Sequence, residues 1–359
     1  MTNKHIFKPR QSNLELYRII VMLLIVAHHY VVNSGVMNLM ESDGFSSRSL
    51  FYHVFGMWGK IGINCFVLIT GYFMCRSKIT LRKFLKLFLE IEFYTIIIYL
   101  IFVITGYNDF SPLAFTKIVF WFILRPIHDS FIHCFLIFWL FIPFLNILIN
   151  NLNRRQHRLL VILSIIIYTV IGSMPKVGIT FNYVEWFIVL YFIASYLRNY
   201  QLRWLNGKYA GWLMVLSILL AVGSVVALRW LNAFKGMNYG AYFFVIDVNK
   251  VFALLVAVTS FSWFKDIKMP HVPLINTIGA TTFGVFLIHT RTSTMRQWLW
   301  KDTIDVTGHY TFVHYILFSL IVVIVVFVIC SLIDYLRIRL LENPLFHFLD
   351  KRFFAKQKT

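Results

Sequence analysis

Arg18 and His29 lie eleven residues apart in an otherwise apolar run, NLELYRIIVMLLIVAHHYVVN, over 13–33. A run of that length crosses a bilayer as a helix. Ionisable groups inside such a helix are costly in lipid, so they face a protein interior or a water-filled cavity. At about 100° per residue, eleven residues return to within roughly 20° of the starting face and roughly 16 Å further along the axis. One face therefore presents a guanidinium at one depth and an imidazole near the far end. That pairing suits phosphate binding by Arg18 and base or nucleophilic chemistry by His29. His28 points about 80° away from Arg18, and Glu15 precedes Arg18 by one turn. Singly, each has a simpler account: Arg18 as an anchor at the inner surface, His29 as a hydrogen-bonded packing residue. Their alignment, with Glu15 beside them, favours a functional polar face.

The elements that must position this face are membrane helices. Hydrophobic residues make up 59% of 359, and charged residues only 14%. That composition excludes a soluble domain and predicts an all-α polytopic membrane protein. Ten spans fit the hydropathy, near 14–33, 54–74, 84–106, 130–150, 158–174, 181–198, 210–231, 241–264, 275–291 and 311–336. A shorter apolar piece, 115–124, is bounded by Pro112 and Pro126 and reads as interfacial or re-entrant. The net charge of +19 invites a nucleic-acid partner. The basic residues instead sit in short loops between apolar runs, which reports topology. With the N-terminus inside, about 22 Lys and Arg fall in inner segments, Lys4, Lys8, Lys356 and Lys358 among them, against about 10 in outer loops. An even number of spans with both termini cytoplasmic follows. The first run is long and contains Arg18, so it reads as a retained span rather than a cleaved signal. Residues 1–340 form the transmembrane domain, and 341–359 read as a basic amphipathic cytoplasmic tail lying on the membrane surface. The four cysteines show neither metal-ligand spacing nor a disulfide framework.

Further candidates follow along the chain. In the second span, GINCFVLITGYFM, Gly62 and Gly71 read as close-packing positions, while Asn64 and Thr70 can bond across helices. In RSKITLRKFLK, Lys83 and Lys86 share a face at the cytoplasmic start of the third span. They anchor anionic lipid or clamp phosphate beside Arg18. Glu185, Asp247, Lys250 and His289 fall in the outer halves of their spans, around the depth of His29. Asp247 and Lys250, three apart, read as a structural ion pair. Glu185 and His289 have no opposite charge close in their own helix and are the better functional candidates.

These segments resemble the membrane acyltransferase-3 family, the integral-membrane O-acyltransferases of bacterial surface glycans. Arg18 and His29 match that family's Arg-x10-His pattern. GINCFVLITGYF is similar to its Phe-Phe-x-x-Ser-Gly segment, with Thr70 in place of serine. Lys83 and Lys86 stand where many members carry Arg-x-x-Arg, keeping charge but losing bidentate phosphate binding. FIHCFLIFWLFIPFLN resembles the middle span ending in Pro-x-x-Asn, at Pro143 and Asn146, and FGVFLIH resembles the late segment ending at His289. The resemblance runs over almost the whole chain. It implies ten core spans, an acyl-CoA donor and a glycan hydroxyl as acceptor; no bound cofactor or metal is expected. Some members carry a fused extracytoplasmic hydrolase-like domain, for which this chain lacks the length.

The expected enzyme is an acyltransferase for groups other than aminoacyl, acetyl in the first instance, in the cell membrane. Acyl-CoA binds through Arg18, Lys83 and Lys86 from the cytoplasm. His29 acts as general base or takes the acyl group itself, oriented by Glu185 or His289. The acceptor is a finished surface or exopolysaccharide, or a lipid-linked intermediate. Two other classes compete: an exporter of polysaccharide or lipid-linked glycan, and a non-catalytic partner in a glycan synthesis complex. The aligned Arg18–His29 face and the missing repeat symmetry speak against an exporter.

Overall fold

A computed structural model describes residues 10–120 and 131–354, and among these every regular element is a helix. In order these are α1 (Ser12–Val32), α2 (Val36–Ser42), α3 (Ser47–Gly56), α4 (Gly59–Met74), α5 (Leu81–Ile104) and α6 (Pro112–Val119). Then come α7 (Phe131–Asn151), α8 (Arg154–Ser164, helical on to Ser173), α9 (Tyr183–Asn199) and α10 (Gly207–Lys235). Last are α11 (Val251–Asp266), α12 (Pro273–Thr290), α13 (Ser293–Gln297), α14 (Tyr315–Arg337) and α15 (Asn343–Leu349). Local chemistry sets several starts. Thr80 caps α5 through the Lys83 N–H, Ser111 caps α6 ahead of Pro112, and Asn153 with Gln156 closes a reciprocal capping box on α8.

Among the described residues seven helical stretches are long and apolar enough to cross a membrane, α1, α5, α7, α10 and the run Ser47–Met74 among them. The helix α10 explains why lipid is the solvent. Its buried residues, Ala210, Ser217, Ala221, Val225 and Arg229, form one narrow stripe, and Trp212, Leu216, Leu219 and Leu220 face outward. An exposed apolar surface of that extent is not tolerated in water. The remaining long elements, α9, α11 and α12, have 17, 16 and 18 residues. More than half of each is buried, which is why they are short or carry buried Asn, Ser, Thr and His rather than lipid-facing leucine.

Around α1 pack α3, α4, α11, α12 and α14. The contacts between helix ends sort into two sets. At one end Asn13 bonds the Phe264 and Lys265 carbonyls, Arg76 bonds Asn199, Arg82 pairs with Asp350, and Ser12 bonds Val272 N–H. At the other end Arg229 bonds Gly44, Lys250 bonds Gly172, Asn108 bonds Thr294 and Tyr310 bonds Asp43. Both described chain ends fall in the first set.

Three expectations are revised. The eighth span was expected over 241–264, but residues 241–250 are turns and the helix begins at Val251. Asp247 and Lys250 consequently do not share a helical face. Asp247 lies 3.9 Å from Lys60, and Lys250 donates to the Gly172 carbonyl at 2.6 Å. Thr70 bonds the Phe66 carbonyl of its own helix instead of a neighbour. Asn64 does cross: its Nδ2 donates to Val248 O at 2.7 Å, and it accepts from Trp186 Nε1 at 2.8 Å. Residues 341–354 continue α14 through a π-helical turn, so Tyr315–Phe353 is one 39-residue helical stretch. Lys4, Lys8, Lys356 and Lys358, residues 355–359 of the tail, and 121–124 with Pro126 lie outside the described residues.

Candidate active site

The helices α1 and α12 run in the same direction side by side. Near their starts Ser12 Oγ donates to Asn276 Oδ1 at 3.1 Å, and near their ends His29 meets His289. Gly279 permits the close approach, because a Cβ there would fall 2.5 Å from Glu15 Oε2 and 3.3 Å from its Cα. The two helix C-termini thus deliver one histidine each to the same depth.

Three hydrogen-bonding groups in a row fix the protons. His289 is fully buried, and its Nδ1 lies 2.5 Å from the Val285 carbonyl. A carbonyl only accepts, so Nδ1 carries the proton and Nε2 is left with its lone pair. His29 Nδ1 lies 2.9 Å from that Nε2 and therefore donates to it. His29 Nε2 is then the free basic nitrogen. A backbone carbonyl one helical turn below His289 sets the tautomer of a ring on another helix, the role a carboxylate fills in many hydrolytic triads.

His29 opens on a cavity of about 180 Å³ between α1, α4, α7 and α12, whose walls include His28, Lys60, Phe131, Phe283 and Phe286. His28 was expected to face elsewhere, yet it reaches the same cavity. Its Nδ1 donates to the Gly56 carbonyl at 2.6 Å, and its Cδ2–Nε2 edge rests on Gly59. On its far side His289 borders a larger apolar recess of about 880 Å³, open between α5 and α14.

Lys60 is the cation that the sequence did not single out. Its Nζ donates to Tyr183 Oη at 2.5 Å, and Lys60 lines the cavity beside His28 and His29. A lone lysine within an apolar stretch carries the same signal as Arg18. Its place beside two glycines at the start of the span hid it among loop cations.

Glu185 does not join this group. It is exposed, accepts from Asn182 Nδ2 at 2.8 Å and lies in the first turn of α9 capped by Asn182. A carboxylate there stabilises the helix N-terminus. Of the two residues expected to orient His29, only His289 touches it.

The cations expected on the cytoplasmic side are also rearranged. Arg18 bonds both Glu15 oxygens at 3.2 Å, and Arg10 meets the same carboxylate at 3.3 Å. Lys83 and Lys86, expected to act together, diverge. Lys83 Nζ turns back to Ser77 Oγ and the Lys78 carbonyl at 2.5 and 2.8 Å. Lys86 pairs with Glu342 at 2.6 Å, and Glu342 also binds Arg337 at 2.9 Å. Arg337 further contacts Asp334 and Glu90 at 2.7 and 3.1 Å, so Lys86 belongs to a largely buried charge cluster holding the end of α14 on α5.

The Pro-x-x-Asn segment has a clear task. Asn146, one turn after Pro143 in α7, donates to the Met74 carbonyl at 3.2 Å and accepts from Tyr191 Oη at 2.6 Å. It ties α7, the end of α4 and α9 together beneath the cavity.

Comparison with curated proteins and with solved structures found no match. Comparison with protein families matches the acyltransferase-3 family, described as an acyltransferase domain, over residues 11–335. With helices suited to a bilayer and the matched region spanning α1 to α14, the chain belongs to the acyltransferase-3 family and is a membrane acyltransferase.

Proposed function

We propose that this acyltransferase moves an acetyl group from cytoplasmic acetyl-CoA to a hydroxyl of an outward-facing glycan at the cell membrane. The observation that carries the reading is the His29–His289 bond, which leaves His29 Nε2 basic at the wall of a cavity. Ten passes with both ends in the cytoplasm are supported by the sorting of the loop contacts into two ends and by the basic inner segments. In that orientation His29 lies toward the outside, where glycan is displayed, and Arg18 lies roughly 16 Å deeper toward the donor side.

The steps follow from the groups present. His29 Nε2 takes the proton of the acceptor hydroxyl as its oxygen attacks the thioester carbon. The resulting imidazolium keeps its Nδ1–H on His289 Nε2. Lys60, on the cavity wall, stabilises the tetrahedral oxyanion. The C–S bond breaks, and the leaving sulfur takes the proton back from His29, giving ester and free thiol. A short acyl group is supported by the size of the cavity, since about 180 Å³ is below the range of sites that enclose larger ligands. Of the expected donor-binding cations, Lys83 pairs with no carboxylate among its hydrogen-bond partners and Arg18 shares Glu15 with Arg10, so these two are the ones left to attract the donor's phosphates, while Lys86 is committed to Glu342.

The test is reconstitution in vesicles of known orientation with labelled acetyl-CoA supplied on one side. Label on an external glycan from donor at the cytoplasmic face supports the reading. Transfer only from donor at the outer face removes the transmembrane route. No transfer from either face, with a protein that binds donor, moves the chemistry to a partner.

A further inference from the structure

We infer that the cavity between the starts of α1 and α12 and the end of α14 is a phosphate-binding site. It measures about 360 Å³, and its lining includes Arg10, His271, Pro273, Asn276, Arg339 and Asn343. No acidic residue lines it. Its cations are in excess of their partners: Arg10 shares the single Glu15 carboxylate with Arg18. The Arg339 guanidinium rests on the Tyr335 ring at 5.3 Å, with no ion pair among the described residues.

Two further features supply aligned donors. The 18-residue helix α12 begins at this cavity with Pro273 in its first turn, and its N-cap Val272 offers no side-chain cap. Pro273 carries no N–H, but the helix N-terminus still turns its partial positive charge toward an anion at this cavity. One turn in, Asn276 is only 8% exposed. Its Oδ1 is taken by Ser12, while its Nδ2 is buried without a partner. An orphaned buried donor is costly, and Asn276 lines the cavity, so a modest side-chain shift on binding would bring Nδ2 to a phosphate oxygen there. Two guanidiniums, a histidine, a helix N-terminus and a buried amide together favour a phosphate group, whether monoester, diester or diphosphate.

That chemistry has two sources: the phosphates of the donor's nucleotide, which rests on the acetyl-CoA reading, and the headgroup of an anionic lipid. Arg18 lies between this cavity and His29 along α1, so a nucleotide seated here extends its thioester arm toward the histidine pair.

The experiment measures coenzyme A binding by calorimetry on the full chain in nanodiscs of neutral lipid, and phospholipid retained after purification by native mass spectrometry. The variants are Arg339→Gln and Asn276→Asp. The second is nearly isosteric and keeps the acceptor for Ser12 while turning the donor into a repelling carboxylate. Each is expected to weaken coenzyme A binding about tenfold, with Lys83→Ala/Lys86→Ala altering mainly its salt dependence. Loss of retained anionic lipid with unchanged coenzyme A affinity keeps the site and assigns it to a headgroup. Wild-type protein that binds no coenzyme A but loses lipid in both variants keeps the site and sinks the donor reading. Unchanged coenzyme A affinity and unchanged lipid in both variants overturn the inference and leave the donor reading intact.

Discussion

His29 Nδ1 and His289 Nε2, 260 residues apart in sequence, are joined by a 2.9 Å hydrogen bond. On the proposed mechanism the two rings do different work, so their variants should differ. His29→Ala removes the base and should lower acyl transfer about 10²–10⁴-fold with donor binding retained. His289→Ala should lower kcat by a smaller factor and leave KM for donor unchanged. His289→Gln, whose Oε1 can still accept from His29 Nδ1, should recover part of that loss. Equal loss in the Ala and Gln variants would make His289 a packing residue. Wild-type transfer by His29→Ala at equal protein level would end the mechanism.

Gly59 and His28 give a stability prediction. A Cβ at position 59 would lie 2.3 Å from His28 Cδ2. Gly59→Ala should destabilise the protein by about 1–3 kcal/mol through overpacking. Adding His28→Ala opens the space, so the double variant should melt higher than Gly59→Ala alone. Such non-additivity is expected of residues in contact. His28→Ala alone should retain most activity, because its Nδ1 is held by the Gly56 carbonyl and its Nε2 edge is packed against Gly59. Thermal melting in detergent reads the first two outcomes, and a glycan acylation assay reads the third.

Lys60 is expected to act on kcat. Lys60→Met keeps the stem and removes the charge, and should cost about 10²–10³-fold in turnover if the ammonium meets the oxyanion. Tyr183→Phe removes the group that aims Nζ and should cost less. A kcat within twofold of wild type for Lys60→Met would restrict the lysine to its contacts with Tyr183 and Asp247.

Sidedness is read with single cysteines at Ser42 and Asn153, both exposed, in a background lacking the four buried native cysteines. An impermeant thiol reagent added to intact cells should label position 42 and spare position 153. Labelling of position 153 from outside inverts the topology and removes the route from cytoplasmic donor to external acceptor.

Helical phase made His29 and Arg18 legible, because period and depth are properties of one helix. The partner of His29 was legible only as a candidate, since nothing local ties position 289 to position 29. Glu185 could have been recognised as a cap: Asn182 followed three residues later by Glu is a helix-start signature. The start of α11 was hidden by tertiary contacts. Asp247 takes the Val248 N–H, and Asn249 and Lys250 are drawn to carbonyls of Tyr168 and Gly172. Those bonds compete with helix formation and belong to a neighbour that hydropathy does not reveal. The lysine pair failed for a related reason. Spacing brings Lys83 and Lys86 to one face, but four-carbon stems reach separate partners, and Glu342 lies more than 250 residues away.

The distance along the chain between the two histidines also sets when the enzyme can first work. At roughly 5–20 residues per second, a ribosome needs about 13–52 s to travel from the first histidine to the second. Throughout that interval α1 is made without its parallel neighbour, and the ring of His29 has no partner to fix its tautomer. The neighbour, α12, is short and rich in buried polar groups, so it enters the bilayer only against helices already in place. A truncated or stalled chain therefore carries the base without its alignment. On the proposed mechanism such a product is a poorer catalyst than the finished chain, and completion of synthesis itself becomes the step that brings the chemistry to full rate.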